Sequence, residues 1–365
     1  MLLQEFPFAK ENLFFLTRSV VYLENAMHTF HNILVRSTNW VGDVVMTMPA
    51  IKALRGLYPR AAITVLCKPY ISDLFQEVAE VDGVLELDGS FRRSYSRVRA
   101  ARFDSALLLQ NAFGAALLAF LARIPVRVGF PTDCRRRLLT HPVQDSYQDC
   151  HQSERYLGLV RSLGYQGPAP SPFIATSMDN HRGDRDYLLH LLQRKAGTVP
   201  TGRPLIGLAP GAKYGPAKQW GTAPFRELIS LLLDKGAGVC LIGAASDTAV
   251  AREIGAGFPG DRVVDSSGCL TLMESLYVIG ELDALVSNDS GAMHMAAARD
   301  TRIFAIFGPT RFQHTAPLSQ QAQLFFKQQP CWPCKHRVCP KPRHYCMEAI
   351  TARQVYEKIV ARLNL

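Results

Sequence analysis

Asp43 is a single carboxylate in an otherwise apolar run near the start of the chain. It lies in RSTNWVGDVVMTMPA, residues 36–50, after the strand-like run NILV and at the start of a helical pattern. The dipole of such a helix favours an ionised carboxylate in its first turn, and a general base needs the same ionised form. Asp43 is therefore predicted either to cap the helix or to accept a proton, and the segment alone leaves both roles open.

A loop rich in glycine and lysine has the composition of a phosphate site. The segment GLAPGAKYGPAKQWG, residues 207–221, follows an apolar strand and precedes a helix. Glycine lets a ligand approach main-chain N–H groups closely, and ammonium groups attract phosphate. The candidate residues are Gly211, Ala212, Lys213 and Lys218, with Trp220 as an anchor or a stacking surface. The alternative is an ordinary strand-to-helix loop whose lysines lie in solvent.

A second polar cluster lies in SNDSGAMHMAAA, residues 287–298. Here a strand is predicted to end and a helix to begin near Ser290 or Gly291. The free N–H groups and the dipole of a helix N-terminus attract anions. The candidates are Asn288, Asp289, Ser290, Gly291 and His294. A cap needs only one such residue, so four in succession favour a ligand site.

Other strand ends should meet at the same edges of the sheets. Asp247, after the strand LIG, could bond ribose hydroxyls or could interact with a helix dipole, and GPT at 308–310 adds a turn. In the first half of the chain, the residues beside strand ends are Thr38, Asn39, Gly42, Gln110 and Asn111. The pattern predicts a nucleotide-linked donor on the second half and an acceptor on the first, with Asp43 taking a proton from the acceptor.

Strand-length apolar runs alternate with helical stretches along the chain. Runs that are apolar on both faces are typical of parallel sheets covered by helices on both sides. The predicted strands are NILVR, AITVLC, GVLEL, DSALLLQ, VRVGF, PLIGLAP, GVCLIG, RVVD, DALVS and RIFAIFG. The predicted fold class is α/β, with two doubly wound, Rossmann-like domains facing across a cleft. Neither half begins with GxGxxG or a P-loop, which disfavours a dinucleotide dehydrogenase and a P-loop ATPase.

Pro- and Gly-rich breaks, GYQGPAPSPF and GTVPTGRP, set the expected domain divisions. In chain order these are an N-terminal extension at 1–30, an acceptor-binding domain at 31–175, a linker region at 176–202, a donor-binding domain at 203–346 with a Cys-rich tail at 331–346, and a C-terminal helix at 347–365. Charged residues interrupt the apolar stretches of the extension, so it is not interpreted as a signal peptide, and Met1 and Met27 are both candidate starts.

The composition limits the partners. The 365 residues include 41 Lys and Arg against 31 Asp and Glu, a net charge of +10. Arginines crowd the first half: Arg92, Arg93, Arg97, Arg99, Arg102, Arg123, Arg127, Arg135, Arg136 and Arg137. They form either a solvated surface or a field that attracts phosphates or anionic lipid headgroups. Aromatic residues do not interleave with them, so nucleic acid is not expected. No run is long enough for a membrane span.

Three blocks together resemble glycosyltransferase family 9, the heptosyltransferases of lipopolysaccharide inner-core synthesis. They are ILVRSTNWVGDVVMTMPAIKALR, APGAKYGPAKQW, and SNDSGAMHMAAA followed by FGPT, in order between residues 33 and 310. The form PGAxxGPAKxW is most similar to the type II members, which add the second heptose. The resemblance implies a GT-B fold and a metal-independent, inverting transfer from ADP-heptose to a lipid A–Kdo–heptose acceptor. It also implies a cytoplasmic enzyme beside the anionic inner face of the cytoplasmic membrane.

The same resemblance implies roles by motif position. Asp43 would be the general base, and Lys218 would contact the donor diphosphate. Asp289, Ser290, Gly291 and His294 would hold the diphosphate and sugar, and Asp247 falls near the acid that contacts ribose. Two features depart from the family: Gly221 stands where Pro usually follows Trp, and the N-terminal extension is unusual.

A cysteine-rich tail, CWPCKHRVCPKPRHYC, lies near the end of the chain. Its thiols, Cys331, Cys334, Cys339 and Cys346, could hold structural zinc or an iron–sulfur cluster. Reduced free thiols, or two disulfides under oxidising conditions, are the alternatives. Similar tails occur in some members of the family, so no catalytic role is assigned and no cofactor is expected to be required.

Two other functions remain open from the sequence. One is a nucleotide-sugar epimerase of the same architecture, which would act without an acceptor. The other is a non-catalytic nucleotide- or metal-binding protein, for which a carboxylate at the opposing domain's edge would have no purpose.

Overall fold

Two six-stranded parallel sheets form the framework of the protein. The computed structural model describes residues 29–87, 89–146, 149–334 and 336–365. The first sheet contains β1 Asn32–Arg36, β2 Ala62–Cys67, β3 Gly83–Glu86, β4 Ser105–Leu108, β5 Val126–Gly129 and β6 His141–Pro142. The second contains β7 Leu205–Ala209, β8 Gly238–Leu241, β9 Val263–Asp265, β10 Ala284–Asn288, β11 Ile303–Phe307 and β12 Ala322–Phe326.

Helices follow most strands and cover both faces of each sheet. Those between β1 and β7 are α1 Val41–Leu57, α2 Ser72–Gln76, α3 Phe91–Ala100, α4 Phe113–Leu121, α5 Gln152–Arg161 and α6 Arg185–Ala196. Those after β7 are α7 Thr222–Asp234, α8 Thr248–Gly255, α9 Leu272–Glu281, α10 Gly291–Ala298, α11 Phe312–Thr315, α12 Tyr345–Glu348 and α13 Ala352–Leu363. This arrangement confirms the predicted α/β class with two doubly wound sheets.

The two sheets share one topology. Their strand orders are β3-β2-β1-β4-β5-β6 and β12-β11-β10-β7-β8-β9. In each, the order reverses between two central strands, β1 and β4 in the first and β7 and β10 in the second. Loops leaving such a switch point diverge and open a crevice beyond the carboxyl ends of the strands, where ligands bind in open α/β sheets. The sites are therefore expected at the loops after these four strands.

One hydrophobic core joins the two sheets. It contains residues of β1 and α1 such as Ile33 and Val44, together with Leu276 of α9, Met293 of α10 and Leu285 of β10, all almost completely buried. Two smaller clusters lie on the outer faces, one under α3 and α4 and one under α7, α8 and α13. The helices between the sheets thus belong to both halves of the fold.

The predicted strands agree with the observed ones, and two further strands were not predicted. β6 has only two residues, and the residues of β12 are not fully buried. Both are edge strands, which bury less apolar surface and so leave a weaker pattern in the sequence. Pro49 lies within α1, which continues as one helix from Val41 to Leu57.

In the described part of the chain, none of the helices has the length and apolar character needed to span a bilayer. The predictions for residues 1–28, including the alternative start at Met27, fall outside the described residues. Phe30, at the end of the proposed extension, is buried in the shared core.

Candidate functional site

The residues selected from the sequence lie beyond the carboxyl ends of the strands. Thr38, Asn39 and Asp43 follow β1, and Asn111 follows β4. In the second sheet, Gly211 to Lys218 follow β7, Asp247 follows β8, and Asp289 to His294 follow β10. The four central loops belong to the two switch points, so the candidates are concentrated where this topology forms ligand crevices.

Asp43 lies in the first turn of α1 and does not cap it. The N-cap is Trp40, which makes no side-chain capping bond. Within the described residues, no hydrogen bond or ion pair engages the Asp43 carboxylate. Burial raises its pKa to about 6; the positive charge of Lys218 acts in the opposite direction, and the negative charge of Asp289 adds to the rise. An unpaired carboxylate with a pKa near 6 is ionised at neutral pH and able to accept a proton.

Lys218 and Asp289 form the central ion pair of the site. Lys218 Nζ lies 2.6 Å from Asp289 Oδ2, and both side chains are nearly inaccessible to solvent. Thr310 Oγ1 donates a hydrogen bond of 2.5 Å to the same carboxylate oxygen. The pair therefore joins the loops after β7, β10 and β11. Thr310 was not selected from the sequence, although its hydroxyl lies in the GPT turn that was expected at this edge.

The first turns of α1 and α10 meet in the cleft. A Cβ added to Gly42 would lie 2.8 Å from Cδ2 of His294 and 3.5 Å from Cα of Gly291. The glycine therefore allows an approach that any side chain would obstruct. Because unpaired N–H groups and the positive dipole ends of both helices converge here, the junction favours anionic groups. The predicted start of α10, with Ser290 as its N-cap, is confirmed.

His294 is buried at this junction and is neutral. Burial, together with the neighbouring His151 and the positive charge of Lys218, lowers its pKa to about 3. His151, just before α5, bonds through Nε2 to the carbonyl oxygen of Ala316 at 2.8 Å. A neutral imidazole beside two helix N-termini can orient a ligand by hydrogen bonding without adding a charge.

The loop after β7 is fixed by buried hydrogen bonds. Asn288 accepts from the Trp220 main-chain N–H at 3.1 Å and donates to the Pro210 carbonyl at 2.6 Å. The Trp220 indole donates to the Ile350 carbonyl at 2.7 Å and is 4% exposed. Of the two roles considered for Trp220, the structure selects the anchor. Lys213, the other lysine considered, is exposed on the same loop.

Asp247 packs directly against the start of this loop. A Cβ on Gly211 would lie 2.4 Å from the Asp247 carboxyl carbon, so only glycine fits there. The Asp247 carboxylate accepts a hydrogen bond of 2.9 Å from the Ala244 N–H, as a residue near a helix N-terminus does. This contact agrees with the helix-terminal role, and the ribose role stays a prediction. Ala212, the neighbour of Gly211, is buried.

The first-sheet side contains two buried arginines that the sequence analysis did not recognise as structural. Arg36 donates to the carbonyl oxygens of Ser37 and Leu66 and, at 3.1 Å, to the Asn39 side chain. Arg135 donates to the Gln110 carbonyl and, at 2.9 Å, to the Asn111 side chain. Burial lowers the pKa of each arginine to about 10.

These contacts change the interpretation of the loops after β1 and β4. Arg135, counted among the surface arginines, is fully buried, so the expectation of a solvated or ligand-facing side chain is wrong for that residue. Asn39 and Asn111 already accept hydrogen bonds from the arginines, which orients both amides. Thr38 is buried, and its hydroxyl makes no hydrogen bond to the described residues. One feature of the sequence indicates that Arg36 is structural, which is that this charged residue ends the otherwise apolar strand NILVR.

Tyr214 is a further cleft residue that sequence reasoning missed. Lys218 Nζ lies 4.9 Å from the centre of its ring, and the Arg337 guanidinium lies 5.5 Å away. The ring also makes an edge contact with Trp40 of the first half, with centroids 6.5 Å apart. Tyr214 thus connects the lysine loop, the Cys-rich tail and the residue that precedes α1.

The Cys-rich tail packs on the loops that carry the ion pair. The Ala217 N–H donates to the Arg337 carbonyl at 3.0 Å, and the Trp332 indole donates to the Thr310 carbonyl at 3.0 Å. Burial, with a contribution from the other three thiols of the tail, raises the pKa of the Cys346 thiol to about 11. Among the described residues, however, no three His, Cys, Asp or Glu side chains are arranged to hold a metal ion.

The geometry defines a class of protein: two doubly wound sheets whose switch points face one cleft, with a carboxylate on one side and an anion site on the other. The model of glycosyltransferase family 9 (heptosyltransferase) matches residues 91–344. Lipopolysaccharide heptosyltransferase 2 of Salmonella typhimurium is 33% identical over 308 residues, covering 80% of this chain and 87% of the relative. The chain belongs to glycosyltransferase family 9 and is a glycosyltransferase.

Further relatives agree. Lipopolysaccharide heptosyltransferase 2 of Escherichia coli K12 is 32% identical, with 80% of this chain and 87% of the relative covered. The solved structure of E. coli ADP-heptose lps heptosyltransferase II has a TM-score of 0.78 and 30% identity, covering 90% of this chain and 98% of that chain. These matches confirm the expected GT-B fold and the family resemblance read from the three sequence blocks.

Proposed function

We propose that this protein transfers a heptose from ADP-heptose to the inner core of lipopolysaccharide, with inversion at the anomeric carbon. The observation that carries the proposal is the arrangement of Asp43 opposite the Lys218–Asp289 pair. An unpaired carboxylate with a pKa of about 6 lies near a site suited to an anionic leaving group. The names of the relatives, lipopolysaccharide heptosyltransferase 2 and ADP-heptose lps heptosyltransferase II, support the choice of sugar and acceptor.

Asp43 is the proposed general base. An acceptor hydroxyl oxygen attacks the anomeric carbon from the face opposite the diphosphate and forms the new C–O bond. The bond from that carbon to the diphosphate oxygen breaks, and its electron pair leaves with ADP. The hydroxyl proton passes to Asp43, which then releases it to solvent. Such proton transfer typically contributes about 10²–10⁴ in rate.

The second half of the chain supports the leaving diphosphate. Lys218 supplies a positive charge, and the N–H groups at the start of α10 supply hydrogen-bond donors. The pair with Asp289 and its Thr310 hydrogen bond fix the ammonium group before substrate arrives. Gly211 and Ala212 border the same loop, Ser290 and Gly291 begin α10, and neutral His294 orients the sugar or the phosphate.

The remaining candidates contribute to the acceptor and donor on either side of this centre. Asp247 is proposed to contact the ribose. Thr38, Asn39, Gly42 and Asn111 are proposed to contact the acceptor, and the arginines behind Asn39 and Asn111 hold those two amides in place.

The reaction is proposed to need no metal, because Lys218 and the helix N-terminus provide the charge stabilisation. The Cys-rich tail, Cys331, Cys334, Cys339 and Cys346, is proposed as a structural element that supports the loops of Lys218 and Thr310. Binding of zinc or an iron–sulfur cluster by these thiols stays a prediction, and metal analysis of the purified protein tests it.

The enzyme is proposed to work in the cytoplasm, in peripheral contact with the anionic surface of the membrane that holds its lipid acceptor. The positive field of the first half supports this location, since it attracts anionic headgroups and phosphorylated sugars.

The deciding experiment combines the protein, ADP-heptose and a defined truncated core lipid, and weighs the product by mass spectrometry. The expected result is an acceptor heavier by one heptose, together with free ADP. Conversion of the nucleotide sugar without acceptor would instead support an epimerase, and tight ADP binding without any product would support a binding protein. Turnover unchanged by excess chelator is expected; its loss would contradict the metal-independent reaction.

A further inference from the structure

The outer face of the first half combines an apolar stripe with a dense basic surround. On α4, the side chains of Phe113, Leu117, Phe120 and Leu121 are spaced so that they lie on one side of the helix. Phe113, Phe120 and Leu121 are 43%, 44% and 42% exposed, and Leu117 is half-buried. The opposite side of α4 packs on the cluster that covers the first sheet. The stripe therefore faces away from the sheet and is exposed.

Arginines contact the carboxyl end of this stripe, and α3 and the turn at residues 136–138 pack against α4. Arg99 of α3 donates to the Ala122 carbonyl at the end of α4 at 2.9 Å, and Arg127 lies 5.4 Å from the ring centre of Phe120. Arg92, Arg97, Arg102, Arg123, Arg136 and Arg137 are exposed nearby in sequence, and no ion pair reaches them within the described residues. Exposed arginines around an exposed apolar stripe match a surface that carries anionic groups above an apolar interior.

Acidic residues on this part of the chain are few. Between residues 89 and 140 the sequence has ten arginines and only two acidic residues, Asp104 and Asp133. Asp104 accepts hydrogen bonds from the main chain of His31 and Asn32 at the amino end of the sheet. Asp133 accepts from the Phe113 N–H at 2.6 Å, at the start of α4. These two carboxylates therefore offset little of the positive charge of this face.

We infer that the stripe of α4, Phe113, Leu117, Phe120 and Leu121, together with the arginines of α3 and residues 136–137, docks the enzyme on an anionic lipid bilayer. The apolar side chains enter the headgroup region, and the guanidinium groups bind lipid phosphates. The inference rests on the proposed function, since a lipid-linked acceptor must reach Asp43. Because α4 begins two residues after Asn111, in the loop that follows β4, docking by this helix places the bilayer next to the mouth of the cleft.

The test uses the full chain and vesicles of phosphatidylglycerol mixed with phosphatidylcholine, compared with phosphatidylcholine alone, in a flotation assay. Wild type is expected to float with the anionic vesicles only, and added salt is expected to weaken binding. Phe120→Ser with Leu121→Ser should reduce the partition constant roughly tenfold or more. Arg97→Gln with Arg137→Gln should reduce it about fivefold per arginine.

Two matched controls lie on the second half. Val338 is 66% exposed and Arg252 of α8 is exposed, so Val338→Ser and Arg252→Gln remove the same kinds of group away from the stripe. Both are expected to bind vesicles like wild type. Because the substituted side chains are exposed, all variants should keep the wild-type melting temperature, which is measured in parallel.

Three results would overturn the inference. The first is that wild type does not bind anionic vesicles, and the second is that both stripe variants bind them as well as wild type does. The third is that light scattering shows a dimer which the stripe substitutions convert to a monomer, while the protein does not bind vesicles.

A delipidated, water-soluble acceptor separates this inference from the proposed function. Stripe variants should turn it over at the wild-type rate. If wild type binds vesicles but turns over neither acceptor, the docking surface stands and the proposed function fails.

Discussion

The two halves of the molecule repeat one strand order but place different chemistry at the same topological point. At the switch point of the first sheet, the carboxylate of Asp43 has no partner in the described residues, and the buried Arg36 and Arg135 of this half bind main-chain carbonyls. At the switch point of the second sheet, Lys218 forms an ion pair with Asp289, with Nζ 2.6 Å from Oδ2. One strand order therefore supports both a free base and a preorganised anion site, because the loops after its central strands carry different residues.

The largest expected effect comes from removing the base. Asp43→Asn should lower kcat by about 10²–10⁴ while leaving ADP affinity unchanged by calorimetry. The fold should also become more stable at neutral pH. The folded-state pKa of about 6 lies above the usual 3.8, so the ionised carboxylate costs up to about 3 kcal/mol once the pH exceeds 6, and the amide removes that cost.

Asp73→Asn is the matched control, because Asp73 occupies the first turn of α2 but is exposed. Its turnover should equal that of wild type. Near-normal kcat in Asp43→Asn would remove the base assignment and, with it, the contrast between the two switch points.

The next effect comes from breaking the ion pair. Lys218→Ala leaves the Asp289 carboxylate buried without its cation, which should weaken ADP binding and lower the free energy of unfolding by about 3–5 kcal/mol. Lys213→Ala on the same loop removes an exposed lysine and should leave both quantities unchanged. Calorimetry and urea unfolding measure the two effects. Equal ADP affinity in the two variants would contradict the role of Lys218.

A smaller effect is expected where the two halves touch. Gly42→Ala places a methyl group 2.8 Å from His294, so the first turns of α1 and α10 must move apart. Overpacking of this kind costs about 1–3 kcal/mol, and kcat/KM should fall because Asp43 moves with α1. Gly56→Ala in the same helix meets no atom within 4 Å and should be neutral or stabilising. Equal kcat/KM for the two variants would show that the contact does not position the base.

The smallest expected effect is a shift in the pH dependence of kcat/KM, which depends on Asp43 in the first half and on Lys218 in the second. With a pKa of about 6, Asp43 is ionised at neutral pH, and kcat/KM should fall about tenfold per pH unit well below pH 6. The charge of Lys218 lowers this pKa, so Lys218→Ala should move the acid limb to higher pH in its residual activity. An acid limb unmoved by the substitution would mean that the two groups do not sense each other.

The sequence predicts much of the fold and the placement of the site for a physical reason. Central strands such as β1 and β10 are apolar on both faces, and the loops after them carry polar residues that the core cannot accept. Their order along the chain therefore indicates both the sheet and its functional edge. The edge strands β6 and β12 were not predicted because they bury little apolar surface and so lack a clear sequence pattern.

What could not be predicted depends on contacts between residues distant in sequence. Arginine is usually a surface residue, and Arg135 can be buried because its guanidinium group donates hydrogen bonds to the carbonyl oxygen of Gln110 and the side-chain oxygen of Asn111. Tyr214 gains its importance from Trp40 and Arg337, which lie in other parts of the chain. The pairing of Lys218 with Asp289 rather than with solvent likewise required the two loops to be brought together.

The core shared by the two sheets has a consequence for cooperativity. Ile33 and Val44 of the first half and Leu276 and Met293 of the second bury one another in a single cluster. Separated at the linker, each half would expose to water an apolar layer that its partner now covers. Melting should therefore occur as one transition in calorimetry, and a chain cut between residues 176 and 202 should recover its structure only when both fragments are present together.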